Sequence, residues 1–180
     1  STTIHHELLR ILKDYIFIGG MPAVINQYRL NNYSYEAVRL EQQEIISSYS
    51  LDFAKYARHF EAIKISRVWN NIPEQLAKDN KKFQYKVVRR GGSASLFGAS
   101  IEWLCAAGLV IKCNRVEHGF MPLAAYQYFS SFKLYMGDVG LLTLKSGMPA
   151  HNIMTTIESD NTFMGAIAEN YVAAQLRTNS

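Results

Sequence analysis

The sequence predicts a mainly helical α+β protein, a helical bundle that contains a winged-helix-like unit and a small β-hairpin. Apolar residues recur at intervals of three and four along most of the 180 residues, which is typical of helices packed on a core. Two short apolar stretches, 109–113 and 132–136, predict strands, and the second alternates strictly. A composition of 48% hydrophobic and 19% charged residues is typical of a globular protein with a sizeable core.

The first predicted helix ends at a pair of glycines. Apolar residues from Ile4 to Ile16 have helical spacing, and Gly19 and Gly20 follow them. Pro22 suits the first turn of a second helix, so the glycines are interpreted as a helix–turn–helix connection. The alternative is a phosphate-binding glycine loop. It is disfavoured because the chain contains no Gly-x-x-x-x-Gly-Lys-Ser/Thr motif.

The middle of the chain predicts several shorter helices. Ser34 is expected to cap a helix from Tyr35 to Ser48, and a short aromatic helix that includes Phe60 is expected to follow. The next helix is expected to end before Pro73, with one separate turn over 74–78. In the 35–48 helix three residues are expected to face inward and five outward: Val38, Ile45 and Ile46 inward, and Arg39, Glu41, Gln42, Gln43 and Glu44 outward.

Residues 78–90 are the most basic stretch, with six basic residues and one acidic residue, Asp79. Phe83 and Tyr85 lie among these charges, a pattern that suits phosphate contact combined with base stacking. The alternative is a solvated loop or an edge strand, where lysines prevent pairing with other sheets. The predicted nucleic-acid-binding residues are Lys81, Lys82, Lys86, Arg89 and Arg90.

The order of elements from residue 59 onward is that of a winged helix. A third helix, capped by Ser93 and ended by Gly108, precedes a strand over 109–113, a turn over 114–119 and a return that begins at Phe120. In winged-helix proteins the third helix enters a DNA groove. Here its predicted outward face offers no Arg, Lys, Asn or Gln, the usual readers of base edges: Ala99, Ser100, Glu102 and Ala106. Sequence-specific major-groove reading by this helix is therefore not expected.

The stretch Phe132–Leu142 combines a strand, a tight turn and the start of a helix. Asp138 directly follows the strand and Gly137, so it is interpreted as the N-cap of the Val139–Leu144 helix rather than as a catalytic acid. Downstream, a helix from Met148 to Ile157 and a last helix capped by Ser159-Asp160 are expected. The apolar stripe of the last helix comprises Phe163, Met164, Ile167, Tyr171, Val172 and Leu176.

Other chemistry is weakly represented. Cys105 and Cys113 lack the spacing of a zinc pair and cannot form a disulfide framework, which predicts a reduced, cytoplasmic environment. The adjacent His5 and His6 do not share one helix face, and Glu169 is the one carboxylate of interest on the last helix.

No apolar run is long enough for a membrane span, and the N-terminus, which carries no signal peptide, looks like a cut from a longer protein. A net charge of +4 is compatible with nucleic acid without being diagnostic of it.

Six segments together resemble one family, the uncharacterised domain that follows the ATPase module in a large group of bacterial and archaeal AAA-type (P-loop) ATPases. They occur in the family's order and extend over nearly the whole chain: Gly19–Val24, Ile72–Ala77, Lys82–Lys86, Glu102–Leu109, Phe132–Leu142 and Gly165–Ala173. The resemblance implies that a P-loop ATPase domain, which would bind ATP and Mg²⁺, precedes this chain. It also implies a restriction-endonuclease-like module beyond residue 180, of which the last helix would be the opening helix and Glu169 its carboxylate.

We therefore expect three regions: an N-terminal helical region over 1–58, a winged-helix-like domain over 59–146, and C-terminal helices over 147–180 that begin a truncated nuclease-like module. The fragment itself is expected to have no catalytic residues, no metal and no cofactor. The first functional hypothesis is a non-catalytic accessory domain of a cytosolic ATPase that contacts double-stranded DNA non-specifically. The second is a scaffold or regulatory domain that packs on its own ATPase domain or on a protein partner, for which an oligomer is possible. The third is a nuclease remnant. No membrane partner is expected.

Overall fold

The computed structural model describes residues 2–78, 82–155 and 162–178. They form helices joined to one two-stranded antiparallel sheet, so the predicted α+β class with a helical majority is confirmed. In chain order the helices are α1 Thr2–Ile18, α2 Pro22–Leu30, α3 Tyr35–Tyr56, α4 His59–Ala77, α5 Tyr85–Val88, α6 Ala94–Ala106, α7 Val139–Lys145, α8 Ala150–Thr155 and α9 Thr162–Thr178. The strands, between α6 and α7, are β1 Val110–Val116 and β2 Gln127–Met136.

The buried side chains form one cluster to which distant parts of the chain contribute. Phe17 of α1, Trp69 of α4, Leu104 of α6, Met136 of β2 and Ile167 of α9 all belong to it. Each of these side chains is at most 2% exposed. The strand β2 and the helix α7 lie in the middle of this cluster and contact α1, α3, α4 and α9 between them. The stretch Phe132–Leu142 therefore occupies the centre of the core.

The predicted connection between the first two helices is confirmed. Gly19 has φ +82°, a left-handed conformation that favours glycine, and its N–H donates to the carbonyl oxygen of Tyr15 at 2.7 Å. Pro22 begins α2 at the first helical position, where its missing N–H costs nothing. Ser34 caps α3 as predicted, because its hydroxyl accepts from the backbone N–H of Ala37 at 3.3 Å.

The predicted break near Ser48 is wrong, since α3 runs without interruption for 22 residues. The hydroxyls of Ser47 and Ser50 donate to the carbonyl oxygens four residues earlier, at 2.8 and 3.0 Å, so these serines continue the helix. Phe60, assigned from the sequence to a separate aromatic helix, belongs to α4 and is exposed.

The predicted end of the helix before Pro73 is also wrong, because α4 continues through this proline to Ala77. Proline lacks the N–H that would bond the carbonyl of Trp69, which normally disfavours a helix interior. Two features oppose this effect here. Pro73 is buried in the core, and the Asn71 side chain donates to Glu74 and accepts from Gln75 across the proline, at 2.9 and 2.7 Å. Tertiary packing thus overrides the local preference.

The predicted outward orientation of Gln42 is wrong, and Arg39 is partly buried as well. Gln42 is 0% exposed and donates from Nε2 to the carbonyl oxygens of Phe17 and Ile18 at 2.9 and 3.0 Å, which closes the carboxyl end of α1. Arg39 donates to Gln42 at 2.6 Å, and its guanidinium lies 3.8 Å from the ring centroid of Phe17. Burial lowers the pKa of Arg39 to about 10. Its remaining donors reach the carbonyls of Gly140 and Met148 and the hydroxyl of Thr143.

Replacing Gln42 with alanine is expected to destabilise the protein by about 2 kcal/mol, because the carbonyls of Phe17 and Ile18 and the guanidinium of Arg39 each lose a buried partner. The neighbouring Gln43 is exposed, so Gln43→Ala provides a matched control that should stay within about 0.5 kcal/mol of the wild type. Urea unfolding followed by circular dichroism measures both. Equal effects of the two substitutions would contradict the role assigned to Gln42.

The hairpin differs from its prediction at the tip. β1 extends to Val116, and the return strand begins at Gln127 rather than at Phe120, because a short 3-10 helix, Leu123–Tyr126, intervenes. The register pairs Val110 with Met136, and it shifts between Asn114 and Arg115. Before α5, the N–H of Phe83 donates to the carbonyl of Phe132 at 2.7 Å, so this segment lies along the free edge of β2.

Both faces of β2 are covered at its carboxyl end. Phe132, Leu134 and Met136 are buried as the alternation predicts, but Tyr135 on the opposite face is buried too. The helix α9 covers that face, and its Asn170 exchanges two hydrogen bonds with the backbone of Met136, at 2.8 and 3.1 Å. The side-chain amide of Asn170 thereby satisfies both backbone polar groups of Met136, as a neighbouring strand would.

The C-terminal helices agree in part with their prediction. α8 is shorter than the expected Met148–Ile157 helix within the described residues, and the proposed Ser159-Asp160 cap lies outside them. In α9 the first part of the predicted stripe faces the core, whereas Val172 and Leu176 are exposed. Among the described helices none combines the length and the hydropathy needed to cross a bilayer.

Candidate functional site

The basic segment, defined as residues 82–90, presents four exposed cations: Lys82, Lys86, Arg89 and Arg90. None of the four makes an ion pair with a residue that the structure describes. The fifth predicted residue, Lys81, lies outside the described residues. The short helix α5 and the turn at Gly91-Gly92 hold the segment, and a Cβ on Gly92 would lie 2.1 Å from the carbonyl oxygen of Tyr85.

In this segment Phe83 is buried and Tyr85 is half-buried, so the ring of Phe83 is not available for the predicted base stacking. Phe83 is 7% exposed and stacks on Phe132, with ring centroids 5.6 Å apart and an interplanar angle of 16°. Tyr85 packs edge-on against both of these rings. The two aromatic rings anchor the segment to the core, and the lysines and arginines on either side of them are exposed.

The outer face of α6 is small and apolar, as expected, with one difference. Ala99 and Ala106 are exposed, but Ser100 is 5% exposed and belongs to the buried face. Ser93 occupies the N-cap position without making the expected side-chain bond to the helix. Glu102 pairs with Lys112 of β1 at 2.7 Å. The face offers no long hydrogen-bonding side chain for base edges apart from this acid.

Glu169 of α9 binds two side chains of β2. Its carboxylate accepts from Lys133 at 2.6 Å and from the hydroxyl of Tyr135 at 2.8 Å. Burial tends to raise the pKa of Glu169, but these two hydrogen bonds and the charge of Lys133 outweigh it and lower the pKa overall. The carboxylate therefore ties α9 to β2.

No group of three or more His, Cys, Asp or Glu side chains that could hold a metal ion occurs within residues 2–78, 82–155 and 162–178. Both cysteines are free thiols, Cys105 half-buried and Cys113 exposed. His5 and His6 are exposed on α1, with ring centroids 6.0 Å apart. His118 packs against Phe120 and Tyr126 at the tip of the hairpin.

A second candidate site forms where the first glycine turn meets Asp138. One carboxylate oxygen of Asp138 accepts from the N–H of Leu141 at 2.9 Å, which confirms the predicted N-cap. The other accepts from the N–H of Gly20 at 2.7 Å, across 118 residues. A Cβ on Gly19 would lie 2.3 Å from the Asp138 carboxylate, so glycine is required for this approach.

A pocket of about 510 Å³ opens beside Asp138; we call it the Asp138 pocket. Its walls come from the glycine turn, from the carboxyl ends of α6 and α9, and from three aromatic side chains: Tyr15, Tyr49 and Trp69. Of the lining residues that the structure describes, Asp138 alone is charged. Burial raises the pKa of Asp138, against the opposing effect of its backbone hydrogen bonds.

The aromatic wall of the Asp138 pocket contains an unused donor. The indole Nε1 of Trp69 is buried and has no hydrogen-bond partner among the described residues. The Trp69 ring already has the ammonium of Lys145 at 5.2 Å from its centroid. Lys145 also donates to Asn70 at 2.7 Å, and burial lowers its pKa to about 8. Burial, together with the charge of Asp138, raises the pKa of Tyr49.

The sequence indicated several residues of this pocket separately, but it did not predict that they lie together. The glycine pair at 19–20, Gly108 and Asp138 were each interpreted as local turn or cap residues. Nothing in the spacing of the sequence shows that residues 20 and 138 lie in contact. The glycines at several turns were the one signal that could have indicated a close approach of two segments. Glycines also occur at ordinary turns, so this signal is not specific.

These features define a class, a helical α+β domain with an exposed basic segment and a separate aromatic pocket that contains one carboxylate. Residues 9–152, most of the chain, match the model of the family described as Domain of unknown function (DUF8612), and the chain belongs to this family. A search of curated proteins found no match. Nor did a search of solved structures.

Proposed function

We propose that this chain is a non-catalytic accessory domain of a cytosolic AAA-type ATPase and that it contacts double-stranded DNA non-specifically. The observation that supports the DNA contact is the basic segment, with its four exposed cations and no ion pairs among the described residues. Cations that are not neutralised within the protein are available to replace the counterions of a phosphate backbone. The ATPase association rests on the six sequence segments that resemble the family.

The mode of contact follows from the packing of the segment. Because Phe83 and Tyr85 pack against Phe132, the cations that flank them in the chain are held at the surface. Phosphates are then the partners that the segment offers to bind, and base edges are not. The outer face of α6, with Ala99, Glu102 and Ala106, adds no sequence-reading side chain. We infer that affinity depends strongly on salt and weakly on sequence.

Two arginine pairs give a matched test. Arg89→Gln/Arg90→Gln removes two charges from the basic segment, and Arg29→Gln/Arg58→Gln removes two exposed arginines outside it. Fluorescence anisotropy with a labelled duplex at several salt concentrations is expected to show weaker binding for the first pair alone. The slope of log K against log salt should fall by about one to two, since each phosphate contact contributes about 0.9.

The result that contradicts the proposal is the absence of duplex binding at low salt by the wild-type protein. Equal losses for the two arginine pairs would also contradict it, because affinity would then follow net charge rather than the segment. Two duplexes of unrelated sequence should bind alike. A strong preference for one of them would show base reading that this surface does not offer.

The second candidate function is a scaffold or regulatory domain, and a different surface favours it. Phe120, Met121 and Phe129 at the hairpin tip are 66%, 82% and 74% exposed. Exposed apolar clusters of this kind are typical of protein contacts. Deletion of residues 1–180 from the whole ATPase, followed by measurement of its ATP hydrolysis rate, tests this candidate. An unchanged rate removes its basis.

A further inference from the structure

We propose that the Asp138 pocket is a binding site for an organic cation, namely a protonated amine carried on an apolar stem. The pocket of about 510 Å³ has room for a small ligand or for one long side chain of a partner. This inference concerns a different surface from the basic segment and is independent of the proposed function.

The charge of the pocket selects the sign of the ligand. The chain has a net charge of +4, yet among the described residues that line the pocket there is no Lys, Arg or His, whereas Asp138 is one of them. No ion pair joins Asp138 to a cation within the described residues. A carboxylate withdrawn from water without a positive partner is disfavoured, which agrees with its raised pKa. A bound ammonium would supply the missing charge.

Helix ends of both polarities line the pocket. Ala107 and Gly108, which line the pocket, form the carboxyl end of the 13-residue helix α6. The last turn of the 17-residue helix α9 also contributes, through Gln175 and Thr178. Carbonyl groups at the carboxyl end of a helix carry a partial negative charge and attract cations. The amino ends of α2 and α7 also reach the pocket, at Pro22 and Asp138, so the sign of the ligand is set by the Asp138 carboxylate and not by the helix ends.

The aromatic walls select the chemistry of the ligand further. The half-buried rings of Tyr15 and Tyr49 line the pocket, so an alkyl stem can pack on them and an ammonium is attracted toward them. A metal ion would find one carboxylate here, and no group of three His, Cys, Asp or Glu side chains occurs among the described residues, so an amine fits the walls better.

The probe is n-butylammonium chloride, titrated into ¹⁵N-labelled protein and followed by NMR. The chain has two tryptophans, so the indole resonance of Trp69 can be assigned with the Trp103→Phe variant. We expect saturable shifts of this resonance and of the Gly20 amide. Neutral n-butanol, which carries a hydroxyl in place of the ammonium on the same four-carbon stem, should bind at least about tenfold more weakly because it lacks the charge.

Two variants separate the site from the fold. Asp138→Asn removes the charge and should weaken binding of n-butylammonium by about tenfold or more. Because this change also alters the cap of α7, Thr178→Lys gives an independent test. Thr178 is exposed, its hydroxyl donates to the carbonyl of Ala174, and a lysine there places a competing ammonium at the wall. Glu102→Gln, which removes a carboxylate outside the pocket, is the matched control and should bind as the wild type does.

A lysine derivative, N-acetyl-lysine methylamide, distinguishes the sources of the amine. Tighter binding of this compound than of n-butylammonium identifies a side chain of a protein partner as the ligand, and the reverse order identifies a free amine. The proposal is overturned if n-butylammonium causes no saturable shift, if n-butanol binds equally well, or if folded Thr178→Lys binds n-butylammonium like the wild type.

Discussion

Gly140→Ala is expected to destabilise the protein by about 3 kcal/mol, the upper range for overpacking of a core. An added Cβ would lie 2.5 Å from the carbonyl oxygen of Ile18, 2.7 Å from the amide nitrogen of Gly19 and 2.7 Å from Nε2 of Gln42. Two of these atoms belong to the backbone at the carboxyl end of α1, which cannot rotate away. The third donates to Ile18, so relief of the clash at Gln42 would break that bond.

The measurement is thermal unfolding, in which a loss of this size should lower Tm by roughly 6–12 °C for a chain of this length. Gly165→Ala is the matched control. Gly165 lies within α9, and a Cβ there meets nothing within 4 Å. Because alanine has the higher helix propensity, this control should stabilise by up to about 1 kcal/mol. A Gly140→Ala variant as stable as the wild type would show that α1 and α7 are not in the close contact described.

Asp138→Ala is expected to cost about 3 kcal/mol, since it removes a helix cap and a charge-assisted tertiary hydrogen bond together. The cap is the bond from Leu141 N–H, and the tertiary bond is the one from Gly20 N–H. Loss of the second bond leaves the glycine turn without its anchor on α7. Ser34→Ala removes a cap alone and should cost about 1 kcal/mol.

Urea unfolding at several pH values tests the same carboxylate further. Burial raises the pKa of Asp138 in the folded protein, so folding takes up a proton between its ordinary and its raised value. The wild type should then gain stability relative to Asp138→Ala as the pH falls from neutral toward the ordinary range of a carboxylic acid. If the difference in free energy of unfolding between the wild type and Asp138→Ala became smaller as the pH falls, the backbone hydrogen bonds would outweigh burial in setting the pKa of Asp138.

Much of the fold could be predicted because its signals are local. The glycines after Ile18, the proline that opens α2 and the hydroxyl of Ser34 act on the backbone within one helical turn of their own position. The same holds for the cap at Asp138. The basic segment was likewise visible as a composition, and its lysines and arginines are exposed because nothing in a core can solvate them.

The errors concern residues whose environment comes from distant parts of the chain. Gln42 and Arg39 looked like surface residues, and they are drawn inward because the carbonyls at the end of α1 and in the α7 region need donors. Pro73 should end a helix, but core packing keeps α4 continuous. The sequence allowed Phe83 and Tyr85 to face nucleic acid, but in the structure both rings pack against Phe132.

The sequence by itself determined the α+β class, the caps and turns, and the presence of a basic segment, because each of these depends on residues close together in the chain. Only the tertiary structure decided which polar residues are buried and where the glycine turn meets Asp138. The physical reason is that burial and a contact across 118 residues arise when helices dock, and docking depends on the shape and hydrogen-bonding needs of the whole core. The Asp138 pocket is therefore a property of the packed helices.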